Sequence, residues 1–369
     1  MRAVDAADRP HRLRWRMPTA MFAAAVLCRV IYKGDALWCS ARSLPIATAL
    51  RVPGFTINDM PDLHGKVAVV TGANTGLGYE VARQLAVANA HVILACRHEG
   101  RCRVALEAIQ HDAGPAASVD TLQLDLSSVR SVREAASRLR RKLPRLHILI
   151  NNAGVATQFP IRLTADGIEE TFHANYLGHF ALTTSLLPLL KRTARRERRP
   201  TRVVHLSSGA HRGAPSIGVP LSLEAINGDM GAYARYGMAK LASLAFSNEL
   251  SRRERGLVLS NSVHPGVVRT DLLRVDNFVS MLGGRPILGR VAWLAAQLRN
   301  RFFAYSATTA ALSVLYPAVA DEVERDGGIS GELFVPVAIR WPPRHEMATD
   351  AAFGKRLWQF SETLLSKTR

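Results

Sequence analysis

The chain is predicted to adopt an α/β fold built on a parallel sheet. Three observations carry that expectation. Short apolar runs bounded by turn residues recur along the sequence, helix-length segments of 3.6-residue periodicity separate them, and the first run ends in a glycine-rich turn. Strands alternating with helices imply βαβ units joined by right-handed crossovers.

The elements follow in order. Residues Met1–Arg16 carry five arginines against two aspartates, and an apolar stretch follows from Met17 to Tyr32. Its uninterrupted part, Ala20–Cys28, is well short of the ~20 residues that span a bilayer, and Arg29 ends it. A signal-anchor, a membrane-surface helix and an organellar presequence all remain open. Residues 1–60 are therefore read as an N-terminal extension. The expected location is intracellular, with attachment at the endoplasmic reticulum or an organelle depending on that segment.

From Asp62 the pattern becomes regular. KVAVVTG (Lys66–Gly72), HVILAC (His91–Cys96), VDTLQLDL (Val119–Leu126), LHILINN (Leu146–Asn152), TRVVHLSS (Thr201–Ser208) and LVLSNSVHP (Leu257–Pro265) read as buried strands. Tyr79–Asn89 and Ser128–Lys142 read as helices between them. Lys191–Arg202 (KRTARRERRPTR) reads as a solvated basic loop ahead of the fifth strand. After Pro265 come an apolar and arginine-rich stretch, Phe278–Tyr305, a helix near Ala307–Tyr316, a strand at Glu332–Val335 and a helix at Ala351–Lys367. Residues 61–340 are expected to form one domain and 341–369 a C-terminal helical tail.

Composition narrows the function classes. With 48% apolar and 21% charged residues in 369, the chain buries a sizeable core, which excludes disorder throughout. The four cysteines (Cys28, Cys39, Cys96, Cys102) form no CxxC and are expected to be free thiols in a reducing compartment. The net charge of +18 fits either attraction to polyanions or general arginine enrichment. No zinc-finger, RNP-type or helix-turn-helix pattern accompanies it, so no nucleic-acid partner is expected. The twelve histidines show no metal spacing such as HExxH, and no metal is expected.

Three constellations carry chemistry. Thr71-Gly-Ala-Asn-Thr-Gly-Leu-Gly78 sits between a strand and a helix, with Gly72, Gly76 and Gly78 in GxxxGxG spacing. Glycines let the backbone approach a pyrophosphate, and the helix N-terminus supplies N–H donors and positive dipole. At the end of the next strand, where a carboxylate would hold ribose hydroxyls, stand Cys96 and Arg97. A guanidinium there pairs with a 2′-phosphate, which favours NADP(H) over NAD(H). The third is Tyr236-Gly-Met-Ala-Lys240, an i, i+4 pair on one helix face. A lysine ammonium favours phenolate, so this tyrosine can exchange a proton while hydride moves to or from carbon. Tyr233 has Gly237 four residues on and lacks that partner.

TGANTGLG, LDLSS, NNAG (Asn151–Gly154), NYLGHF, VVHLSS, Tyr236-xxx-Lys240 and HPGVVRT (His264–Thr270) occur in this order. The chain thereby resembles the short-chain dehydrogenase/reductase superfamily from about Pro61 to Val335. Within it the likeness is to the branch of retinol dehydrogenases, the WW-domain oxidoreductase and protochlorophyllide reductases. The resemblance implies a single Rossmann-type doubly wound domain, a seven-stranded parallel sheet with helices on both faces, and frequent homodimers. It implies Tyr236 as general acid/base, Ser208 on the substrate oxygen with Ser207, one register step away, as the fallback, Lys240 on the nicotinamide ribose and Asn175 holding a relay water. Gly72, Asn74, Thr75, Gly76, Leu77, Gly78 and Arg97 would hold the phosphates and adenosine ribose end. Asp125 and Leu126 would contact the adenine, Asn152 and Gly154 the adenosine ribose region, and Pro265, Gly266, Val268 and Thr270 the nicotinamide amide.

The expected function is NADP(H)-dependent interconversion of a carbonyl and an alcohol on a small lipophilic substrate, retinoid-, steroid- or lipid-aldehyde-like. Double-bond reduction with the same tyrosine and lysine is the alternative enzyme, and a silent cofactor-binding scaffold the alternative class. Ser208 and Tyr236 are 28 residues apart, which lengthens the substrate loop without removing a reacting group. Residues 278–305 are open to two readings, a lid that also touches a membrane surface or a buried helix pair.

Overall fold

A computed structural model describes residues 54–368 apart from 156–158, 269–274, 276, 277, 280, 281, 283 and 344. The N-terminal segment through residue 53, with Cys28 and Cys39, lies outside the described residues, as does Thr270.

The strands are β1 (Val67–Thr71), β2 (His91–Cys96), β3 (Val119–Gln123), β4 (Ile148–Asn151), β5 (Thr201–Leu206), β6 (Val258–Val263), β7 (Leu333–Val335) and β8 (Ile339–Arg340). Their order in the sheet is β3-β2-β1-β4-β5-β6-β7-β8. All neighbours are parallel except β7 and β8, which pair antiparallel. The sheet thus has eight strands where seven were expected. The addition is a two-residue return of the chain after β7, too short to show as a periodic run.

The helices are α1 (Gly76–Val87), α2 (Glu99–Ala113), α3 (Val129–Lys142), α4 (Gly178–Glu197), α5 (Ala232–Arg253), α6 (Pro286–Phe303), α7 (Ala307–Val319) and α8 (Ala351–Lys367). The two-residue period of the strands divides their side chains between the sheet's faces. Ala68, Val70, Ile148, Ile150 and Val204 join one apolar cluster with residues of α1, α2 and α7. Val69, Leu149 and Val203 join another with residues of α3, α4, α5 and α8. Both faces are covered, which is why the strands read as continuous apolar runs.

Two expectations are corrected. The basic run at 191–202 is not a loop, because α4 continues through Glu197 and closes on Arg198 in the left-handed conformation. Arg202 already belongs to β5 and is buried, with Nη2 2.7 Å from Glu324. Cys96 and Cys102 are also not free thiols. They form a disulfide, their Cα atoms 5.9 Å apart, where the chain reverses from β2 into α2.

Helix α8 is built into the core. Asp350 caps it by accepting from the N–H groups of Ala352 and Phe353, a contribution of about 1 kcal/mol. Trp358 stacks among Phe180 and Phe246, at 5.1 and 5.6 Å between ring centres.

Candidate active site

The glycine turn follows β1 because Thr71 ends the strand and Gly72 turns the chain with φ +65°. Gly76 repeats a positive φ of +60° and opens α1. At Gly78 a Cβ would stand 2.3 Å from Asn152 Nδ2 and 2.5 Å from the Gly72 carbonyl oxygen. Only a residue without a side chain closes the first turn of α1 onto the loop after β4. Asn152 completes that junction by donating to the Thr71 carbonyl at 2.8 Å. A cradle of this kind, beside a helix start that the Thr75 side chain leaves uncapped, fits a dinucleotide pyrophosphate. Asn74, Thr75 and Leu77 lie along the same turn, Thr75 as the extended residue before α1.

Arg97 follows β2 directly and is exposed, so its guanidinium is available at the strand's C-terminal edge. Asp125 lies beyond β3, where its carboxylate accepts from the N–H and hydroxyl of Ser127 at 2.9 and 2.6 Å. Leu126 is buried, and its carbonyl oxygen packs against Gly178 at the start of α4.

Asn175 sits in a π-helical turn, His173–Leu177, ahead of α4. Such a turn inserts a residue into the helical ladder and re-aims the side chain. The Asn175 amide clamps Val155, accepting from its N–H at 2.7 Å and donating to its carbonyl at 3.0 Å. Between them lies Gly154, where a Cβ would fall 3.3 Å from Asn175 Oδ1 and 3.7 Å from Lys240 Nζ. Gly154, Asn175 and Lys240 converge from the loop after β4, the π-helical turn and α5.

Ser208 follows β5, and Tyr236 and Lys240 lie on α5. The Ser208 hydroxyl hydrogen-bonds the phenol of Tyr236. The loop after Ser208 presses on α5 at Gly237, where a Cβ would meet the Ala210 carbonyl oxygen at 2.6 Å. Buried Arg235, 3.1 Å from Asp229 and 3.6 Å from Glu169, fixes the start of the helix. Lys240 Nζ donates to the Leu206 carbonyl at 2.8 Å and lies 5.6 Å from the Tyr236 ring centre.

The electrostatics differ from the simple lysine-phenol pairing expected. Burial pushes the Tyr236 phenol up to about 12, and the Ser208 hydrogen bond only partly opposes it. Burial lowers Lys240 to about 8. Desolvation is the leading cause at both groups, and the charge of Lys240 is not among the causes that set the phenol.

Pro265, Gly266 and Val268 continue from β6. Gly266 has φ +81°, and a Cβ there would strike the Tyr305 ring at 2.8 Å. Val268 bridges Tyr305, and the Tyr305 N–H donates to the Val267 carbonyl at 2.9 Å. Two residues at the centre of the site escaped sequence reasoning. The Thr71 hydroxyl accepts from the N–H groups of Asn152 and Ala153, both at 2.9 Å, and meets His179 Nε2 at 2.9 Å. Thr71 carries a weak signal as the polar end of an apolar strand, whereas His179, within NYLGHF, reads from sequence as a packing or helix-end residue. Among the described residues no group of three or more His, Cys, Asp or Glu is placed to hold a metal ion.

A family model described as short chain dehydrogenase matches residues 66–277. An uncharacterized oxidoreductase of Schizosaccharomyces pombe is 36% identical over 324 residues, covering 86% of this chain and 90% of the relative. Retinol dehydrogenase 13 of Mus musculus is 37% identical over 306 residues, covering 82% and 84%. Among solved structures, a protein from Mycobacterium paratuberculosis superposes with a TM-score of 0.59 at 30% identity, covering 85% of this chain and 98% of that one.

Proposed function

The chain belongs to the short-chain dehydrogenase family of oxidoreductases, and on that premise we propose that it reduces a carbonyl to an alcohol on a lipophilic substrate, using NADPH. The observation that carries the reading is the meeting of Ser208, Tyr236 and Lys240 beside the glycine cradle. The nicotinamide supplies the hydride when bound. Ser208 and Tyr236 hold the substrate oxygen, and Tyr236 gives it the phenolic proton. Tyr236 holds its proton at neutral pH, but burial makes it a weak acid, so its role as donor depends on the positive charge of Lys240 beside it. Lys240 restores charge balance and holds the nicotinamide ribose, and Asn175 positions Gly154 beside it. The glycine turn with Asn74, Thr75 and Leu77 seats the pyrophosphate. Arg97 takes the 2′-phosphate, and Pro265, Gly266, Val268 and Thr270 take the nicotinamide amide. The relatedness to retinol dehydrogenase 13 supports a retinoid-like or other lipophilic carbonyl compound as substrate.

The test is NADPH oxidation by the wild-type protein beside Tyr236→Phe, over retinoid, steroid, aldehyde and quinone substrates. Turnover that falls about 10²-fold or more in the variant, with cofactor affinity kept, is the expected result. Equal use of NADH would sink the role given to Arg97. Tight NADPH binding with no carbonyl turnover in the wild type would sink the reductase reading.

A further inference from the structure

Helix α6 is amphipathic in the inverted sense. Its buried positions are Gly289, Ala292, Ala296 and Asn300, while Ile287, Leu288, Val291, Leu294 and Leu298 face out at 49–78% exposure. The large residues Ile287, Val291, Leu294 and Leu298 fall at i, i+4, i+7 and i+11, one stripe of the helix. An ordinary surface helix turns such a stripe inward, so this one is built for a partner that covers it. Phe159 extends the surface, since it is 47% exposed and packs at Gly284 just ahead of the helix.

Charge identifies the partner. From residue 277 to residue 320 the sequence contains no Asp or Glu, while Arg285, Arg290, Arg299 and Arg301 fall within it. Arg290 occupies a helix position bordering the apolar stripe on one side, where a long cationic side chain reaches lipid headgroups. We propose that the outward face of α6 docks on an anionic lipid bilayer, with Leu294 and Leu298 entering the acyl boundary. A protein partner for such a face would need carboxylates, and a second copy meeting it through the same helix would bring arginine against arginine. The helix ends against the loop after β6, because Tyr305 bridges Val268 and lies over Gly266. The C-terminal end of the helix is thus next to the loop that carries Gly266 and Val268. This inference goes beyond the reductase reading and needs no turnover.

Hydrogen–deuterium exchange of the full chain tests it, with phosphatidylcholine vesicles alone or with added phosphatidylserine. This readout separates α6 from any contact made by residues 1–53. Segment 286–303 is expected to exchange more slowly on phosphatidylserine vesicles and little on phosphatidylcholine alone. Leu294→Asp with Leu298→Asp should weaken that protection about tenfold or more. Both positions face solvent, so an unchanged melting curve is expected. Arg290→Gln should weaken it about fivefold without removing it. The proposal is overturned if the segment exchanges alike with and without vesicles while the chain binds them elsewhere. It is equally overturned if protection appears without lipid and rises with protein concentration, which would assign the face to a second copy.

Discussion

The Thr71 hydroxyl and His179 Nε2 stand 2.9 Å apart, and this contact joins the glycine turn to the helix that carries Asn175. Burial lowers His179 to about 3, so the ring is neutral and carries one proton. Its Nδ1 faces the Asn175 carbonyl at 3.3 Å and must donate there. Nε2 is then an acceptor, and Thr71 gives it a proton while receiving the N–H groups of Asn152 and Ala153. Every polar atom of Thr71 is used.

Thr71→Val keeps the shape and removes the hydroxyl. Two part-buried N–H groups and a buried histidine nitrogen lose their partner, a loss of up to about 1–3 kcal/mol for the buried group and less for the others. The expected outcome is a lower melting temperature together with weaker NADPH binding, read by calorimetry and fluorescence titration. Unchanged cofactor affinity would show that the turn keeps its shape without Thr71.

Gly78→Ala tests the cradle. The added methyl would collide with Asn152 Nδ2 and the Gly72 carbonyl, and backbone cannot step aside cheaply. Affinity for NADPH should fall by at least about tenfold, the equivalent of ~1.4 kcal/mol. Gly100→Ala, where a Cβ meets nothing within 4 Å, should leave affinity unchanged and serves as the control.

Lys240 makes stability depend on pH in an uncommon window. Its folded value of about 8 lies below its ordinary 10.5. Between these values the unfolded chain binds the extra proton, so folding stability gains as pH rises. The gain approaches about 1.4 kcal/mol per pH unit and is lost again as pH falls through 8. Lys240→Met should remove this rise from denaturant-unfolding curves collected from pH 7 to about 10.5. A difference between wild type and variant that stays flat over that range would show the lysine to be fully hydrated.

Much of this architecture is legible in residue order, because local rules govern it. Val67–Thr71 and His91–Cys96 are apolar runs between turns, and Gly72, Gly76 and Gly78 announce a backbone that must bend and approach. What escapes is set by distance in space. Thr71 and His179 are 108 residues apart, and nothing in either segment marks the other. The π-helical turn at Asn175 needs an inserted residue that helical periodicity does not reveal. Cys96 and Cys102 pair only because the chain reverses between them. The run at Lys191–Glu197 reads as a loop by charge, yet it is helical because Thr193 and Ala194 on the same turns are buried.

The bond between Tyr176 and Ser361, at 2.6 Å, spans 185 residues. Tyr176 neighbours Asn175 in the π-helical turn, and α8 supplies the wall against which that turn rests. A ribosome making this chain finishes the Asn175 segment long before it makes the surface that holds it. The bond that braces the π-helical turn can therefore form only after Ser361 has been made. Until then Phe180 and Phe246, two of the rings that close on Trp358, lack that partner.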